Sequence, residues 1–194
     1  MSGPDEVRPH SAAIRKSSSG IKICFPQIER SGSGTGYAQL NQLFGNLGDG
    51  RFELLAPPPG DAFGIARVSR GSAIGDYDDD GDLDIFITNL NDRPALLRNE
   101  VGTRQNWLGV RLVGTVSNRD GIGARVRLVA GGRAQFRDML CGSSFLSSED
   151  PRAHFGLGQV ELVDSLQVSW PSGATQSLVD LPANQYVEVE EKAG

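Results

Sequence analysis

Several features that define common protein classes are scarce in this 194-residue chain. It has two cysteines, Cys24 and Cys141, too few for the disulfide framework of a small secreted domain. A single bridge between them stays open, but neither has a second Cys or a His at zinc-ligand spacing. Histidine occurs only at positions 10 and 154, so no histidine-based catalytic constellation can be assembled. The opening residues, MSGPDEVRPHSAAIRKSSSG, lack the apolar run of a signal peptide. No stretch approaches the ~20 apolar residues of a membrane span. No dense basic stripe is present to contact phosphates, which argues against a nucleic-acid partner.

Glycine and proline, by contrast, are plentiful, at 25 and 10 residues, and would break up a helical bundle. With 38% hydrophobic residues the chain can still build a core, in one ordinary domain or two small ones. A turn-rich, all-β fold is the class that fits. Acid is concentrated, not spread. Aspartates at 76, 78, 79, 80, 82 and 84 fall within nine residues, and without those six the formal charge of −5 becomes +1. The acidity therefore marks a site and not a general surface property.

Residues 1–36 are Ser- and Gly-rich and are expected to be disordered or poorly structured, with one apolar patch at 21–25. Leu43-Phe44 and Phe52, Leu54 and Leu55 flank Gly45–Gly50, a hairpin signal with an Asp-Gly turn. Ser72–Gly75, the aspartate run and Ile85–Thr88 read as strand, loop, strand, with a further short strand at 95–98. From Trp107 onward the pattern alternates cleanly. Ala124, Val126, Leu128 and Ala130 share one face; so do Leu166, Val168 and Trp170, and then Val187 and Val189. Turn signals between these runs indicate a sandwich or small barrel, and the polar stretch 99–106 is the expected boundary.

The run Asp76-Tyr77-Asp78-Asp79-Asp80-Gly81-Asp82-Leu83-Asp84 has the form D-x-D-x-D-G-x-x-D. A hard cation such as Ca2+ takes six to eight oxygen ligands at about 2.3–2.6 Å, and carboxylates at alternate loop positions can all turn inward. Gly81 permits the sharp turn. The expected ligands are Asp76, Asp78, Asp80 and Asp84, with the backbone carbonyl of Asp82; Asp79 and the side chain of Asp82 are expected to face solvent. An EF-hand needs Glu at the twelfth loop position, which is Ile87, and helices on both flanks, so it is excluded. A solvated acidic turn is disfavoured, because six aspartates so close together repel one another without a counter-charge. General acid–base use is weak, since carboxylates around a metal are already committed as ligands.

Residues 41–52 followed by 75–89 resemble FG-GAP/VCBS-type repeats, the calcium-bearing blades of integrin-like β-propellers. The motifs Trp107-Leu108-Gly109-Val110, Asn118–Ala124, Gly142–Ser147, His154–Gly158 and Trp170–Gly173 resemble the ASPIC/UnbV domain found in cartilage acidic protein-like sequences. The resemblance implies a partial β-propeller blade region at 37–99 followed by a β-sandwich-like domain at 106–190. It also implies a calcium-stabilised, extracellular or cell-surface interaction module with a protein or glycan partner. A propeller needs about four to eight blades, and this chain has material for one to one and a half. A short or truncated member of the family, a real start lying upstream, or a sheet completed by edge pairing with another chain would reconcile the two. The rival readings are an accessory protein or enzyme in natural-product biosynthesis, and a gene fragment.

The remaining landmarks read as structural. Trp107 and Trp170 sit in alternating strands and are expected in the core. His154 is expected to be structural. Ser143, Ser144, Ser147 and Ser148 lack a G-x-S-x-G elbow. Gly156 and Gly158 do not extend to G-x-G-x-x-G, since Glu161 takes the last position. Asn118 and Asp120 suit a turn better than a second cation site. No catalytic set emerges, and the chain is read as non-enzymatic.

Overall fold

The computed structural model describes residues 5–7, 19–22, 37–46, 51–55, 62–99, 105–142 and 146–192. The chain divides into two compact units, Met1–Gly102 with Ser144–Ser148, and Thr103–Ser143 with Glu149–Gly194. Both are built from strands, as the Gly/Pro content and the period-2 patterning require. Among the described residues the only helical element is a single 3-10 turn at Ala62–Gly64, and no helix is long and apolar enough to cross a membrane.

The described residues of the first unit include the strands β1 (Asp5–Val7), β2 (Ser19–Lys22), β3 (Gln42–Asn46), β4 (Phe52–Leu55), β5 (Ser69–Gly75), β6 (Asp84–Asn89) and β7 (Ala95–Leu97). They form two open sheets, in the orders β2-β3-β4 and β1-β7-β6-β5. The β3–β4 hairpin forms with Leu43 opposite Leu55; its Asp49-Gly50 turn lies outside the described residues. Leu43, Phe63, Ile85, Ile87 and Leu97 make the buried core of this unit. The lead expected to lack regular structure contributes β1, paired in parallel with β7, and β2, paired with β3. A paired strand needs only backbone groups, which composition does not report. The rest of 1–36, Cys24 included, lies outside the described residues, and Cys141 is exposed.

The second unit holds β8 (Asn106–Val113), β9 (Arg125–Ala130), β10 (Arg133–Asp138), β11 (Ala153–Gly158), β12 (Leu162–Ser169), β13 (Thr175–Pro182) and β14 (Gln185–Glu190). These make a four-stranded antiparallel sheet, β10-β9-β12-β13, and a three-stranded sheet, β11-β8-β14. Their inner faces share one core, in which Leu108, Val110, Val126, Leu128, Phe155, Val163, Leu166 and Val168 are fully buried. This is a sandwich-like domain, and alternating side chains from two facing sheets explain it directly. Trp170 joins that core, 4% exposed.

Trp107 does not join it. Leu108, Val110 and Leu112 set the inward parity of β8, so Trp107, Gly109 and Arg111 fall on the outer face. There Trp107 stacks on His154, 5.8 Å between ring centroids and 12° between planes. It also meets Tyr186 at 4.8 Å. Gly109 lies between His154 and Tyr186 in the strand register. A methyl group there would collide with the Tyr186 ring, so the glycine makes room for the aromatic row. Arg152 caps that row, 4.1 Å over Tyr186, with its fork held by Asp150 at 2.7–3.0 Å. The half-buried His154 is thus a stacking partner. Asn118 closes a turn by both accepting from and donating to the Ile122 backbone, at 2.8 and 2.7 Å.

Candidate metal centre

The aspartate run connects β5 to β6 as the two strands separate. Their last paired residues are Gly75 and Asp84, so Asp76 and Asp84 stand at the loop's two feet. Between them the chain takes left-handed conformations at Asp79, φ 57°, and Gly81, φ 93°. Glycine adopts such a φ without steric cost, and aspartate tolerates it better than most residues. The loop folds over Asp76, whose two oxygens accept N–H groups from Asp80 at 3.1 Å and Gly81 at 2.8 Å. Asp84 accepts the N–H of Tyr77 at 3.2 Å and that of Asn99, beyond the end of β7, at 2.8 Å. Loop, β6 and the end of β7 therefore converge on two buried carboxylates.

One carboxylate oxygen each from Asp76, Asp78 and Asp84 lie within 4.8 Å of one another. Two oxygens that share a cation at 2.3–2.6 Å can be at most about 4.6–5.2 Å apart, so the trio fits within one calcium coordination sphere. Its donors are all hard oxygens, the set that suits calcium, magnesium or manganese. Asp78 Oδ1 is buried and accepts no hydrogen bond among the described residues. Its other oxygen meets the Arg98 guanidinium at 2.9 Å. An anionic oxygen withdrawn from water and left without a donor is costly. The three oxygens are spaced so that they could hold a metal ion between them.

The electrostatics agree. Burial pushes the Asp84 carboxyl up to about 6, against the two N–H groups that favour its charged form. Burial first, then the neighbouring Asp80 charge, also raise Asp78 above its ordinary value, with Arg98 pulling the other way. These carboxylates are therefore poorly stabilised as anions by the protein alone.

The other expected ligands are placed differently. Asp80 does not join the trio; its Oδ1 accepts the Asp82 N–H at 3.1 Å, and its Oδ2 lies 3.9 Å from Arg98. Asp79 is exposed, as expected. Asp82 is not: it is 2% exposed. The left-handed turn at Gly81 brings the chain back beneath the loop, so residue 82 enters the fold instead of projecting from it. Arg98 also reaches the loop, which no local sequence pattern marks. Its approach depends on cross-strand register, since β6 and β7 pair Ile85 with Leu97, which sets the next residue abreast of Asp84.

Sequence comparison places the second unit. Residues 114–194 match the family model described as ASPIC and UnbV. Over 97% of its length the chain is 30% identical to cartilage acidic protein 1 of Mus musculus, and over 89% it is 31% identical to that of Homo sapiens. A third relative, cartilage acidic protein 1 of Xenopus tropicalis, is 32% identical over 68% of the chain. The chain spans only 21–29% of the length of these relatives. The second unit is therefore an all-β, sandwich-like module that carries the ASPIC and UnbV sequence pattern, in a chain similar to part of the cartilage acidic proteins.

Proposed function

We propose that this chain is a calcium-stabilised, non-catalytic interaction module of a secreted or cell-surface protein. In this reading residues 37–99 form an FG-GAP/VCBS-like repeat region clamped by the ion, and the ASPIC/UnbV-like sandwich follows it. The observation that carries the reading is the convergence of Asp76, Asp78 and Asp84 around the donor-less Oδ1 of Asp78. Asp80 and residue 82 are assigned as further oxygen donors. Calcium is favoured over magnesium because an irregular loop suits its flexible coordination, whereas magnesium demands near-ideal octahedral geometry. Similarity to cartilage acidic protein 1 supports an extracellular setting. The role is structural: the ion holds together the loop, the start of β6 and the end of β7, which otherwise bring like charges into contact.

Thermal melts of the full chain test this. Calcium binds the folded state, so at a hundredfold excess over its dissociation constant it adds about 2.7 kcal/mol. For a unit of this size that corresponds to a rise of roughly 10–20 °C in its transition. Identical melts in excess calcium and in EDTA would overturn the proposal.

A further inference from the structure

We propose that Arg98 is a built-in rival of the calcium ion, a positioning residue that keeps the ion-free loop folded and holds its calcium affinity down. This rests on the calcium reading of the loop. Arg98 lies one position beyond the Leu97–Ile85 pair, so the β6–β7 register sets it abreast of Asp84. Its Nη2 is 2.9 Å from Asp78 Oδ2 and 3.9 Å from Asp80 Oδ2. Both partners are only partly exposed, the side chains at 27% for Arg98 and 21% for Asp78, so solvent screens the contact incompletely. The guanidinium covers one oxygen of Asp78 and leaves the other, Oδ1, as the buried atom without a donor.

That division of one carboxylate has two consequences. Without an ion, Arg98 supplies the cationic group that pairs with Asp78 among the described residues, and it offsets part of the repulsion among Asp76, Asp78, Asp80 and Asp84. A calcium ion held by Asp76, Asp78 and Asp84 would share the Asp78 carboxylate with Arg98, and the two positive groups would repel each other through a partly desolvated gap. The Arg98–Asp78 contact must then lengthen or the ion must bind less tightly. Either way the affinity falls. The outcome is a site of the weak class typical of extracellular calcium modules, on the order of 10⁻⁴–10⁻³ M, in a loop that does not depend on the ion to fold.

Calcium titration calorimetry on the full chain, alongside melts in EDTA, tests the proposal with Arg98→Gln and Arg98→Lys. Arg98→Gln is expected to bind calcium at least about tenfold more tightly than the unmodified chain, the scale of the repulsion between a divalent and a univalent cation ~6 Å apart even at the dielectric of water. It is expected to melt lower in EDTA and to regain the difference in saturating calcium. Arg98→Lys keeps the charge and is expected to bind within about twofold of the unmodified chain, on the same electrostatic argument. Should Arg98→Gln not fold without the ion, its dissociation constant is read from the calcium-loaded side by chelator competition. Equal or weaker binding by Arg98→Gln would overturn the role of Arg98 while leaving the calcium site intact. Binding by Arg98→Gln alone would support Arg98 as the rival and refute calcium binding by the unmodified chain. Binding by neither would refute both.

Discussion

Each unit of the molecule buries carboxylate at the end of a strand, a single glutamate in one and several aspartates in the other, and the two are accommodated in opposite ways. In the second unit Glu191, just beyond β14, is 3% exposed. Its Oε2 accepts the N–H groups of Thr115, Val116 and Ser117 at 2.6–3.0 Å. Its Oε1 accepts the hydroxyls of Ser117 and Ser172 at 2.8 and 2.6 Å. Burial alone would raise its pKa, yet these donors, led by the Ser172 hydroxyl and the Ser117 backbone, outweigh burial and hold the carboxyl down at about 2. In the first unit Asp84 has two donors, burial prevails, and the carboxyl is pushed up to about 6. Chemically similar groups shift in opposite directions because one anion is fully supplied with donors and the other is not. The Glu191 site is a completed latch between the C-terminal strand and the 114–117 loop. In the first unit the buried Asp78 Oδ1 is left without a donor among the described residues.

The largest effect that would sharpen this contrast is truncation in the sandwich core. Phe155 is fully buried, with the Arg137 guanidinium 4.9 Å from its ring centroid. Phe155→Ala is expected to cost about 3–5 kcal/mol. Denaturant unfolding should show loss of the second unit's transition, with the calcium response of the first retained. Next, Asp78→Asn combined with Asp80→Asn is expected to abolish the calcium-dependent gain of about 2.7 kcal/mol, while the sandwich transition stays in place. Loss of both transitions would break the two-unit comparison.

Gly109→Ala comes third. The added methyl group must displace Tyr186 from its place between Trp107 and Arg152, an overpacking expected to cost about 1–3 kcal/mol. The effect is read as a lowered melting transition with reduced protection of β14 amides. Fourth is the pH dependence of Glu191. Its folded carboxyl titrates near 2 against an ordinary value of 4.5, so between those values the unfolded chain binds more protons. Its contribution to stability is complete above that ordinary value and is lost as the pH falls towards 2. Glu191→Gln should lower the sandwich's melting point at neutral pH and flatten this acid limb. An unchanged acid limb would break the latch account. The smallest effect belongs to the exposed pair Arg111–Glu188 at 3.8 Å; Glu188→Gln should change stability by no more than about 1 kcal/mol.

Much of this architecture was legible in the sequence because period-2 alternation reports burial directly. It fixed the inward faces of β9 and β12 and the strand–loop–strand around the aspartates. The same rule, carried one step further, marks Glu191: it continues the parity of Val187 and Val189, so a charged residue falls on the inward face. That parity also sets Trp107 opposite the inward Leu108, although its residue type argues for the core. Other features depend on register between strands distant in the chain. The parallel pairing of β14 with β8 and the approach of Arg98 to Asp78 are of this kind. No local pattern carries them. The burial of Asp82 was hidden differently: alternation fails inside a loop, where the left-handed turn at Gly81 decides which way the next residue faces.

The central claim is that the Asp76–Asp84 loop holds a cation, and Tyr77 makes it directly observable. Tyr77 lies within the loop and donates its N–H to Asp84, close enough to sensitise a terbium ion standing in for calcium. Excitation of tyrosine should yield terbium emission that calcium displaces, with one ion per chain. Tyr77→Phe should lose most of that emission while keeping the calcium-dependent melt. Asp84→Asn should lose both. Terbium emission unaffected by calcium, or equally strong in Asp84→Asn, would contradict the account.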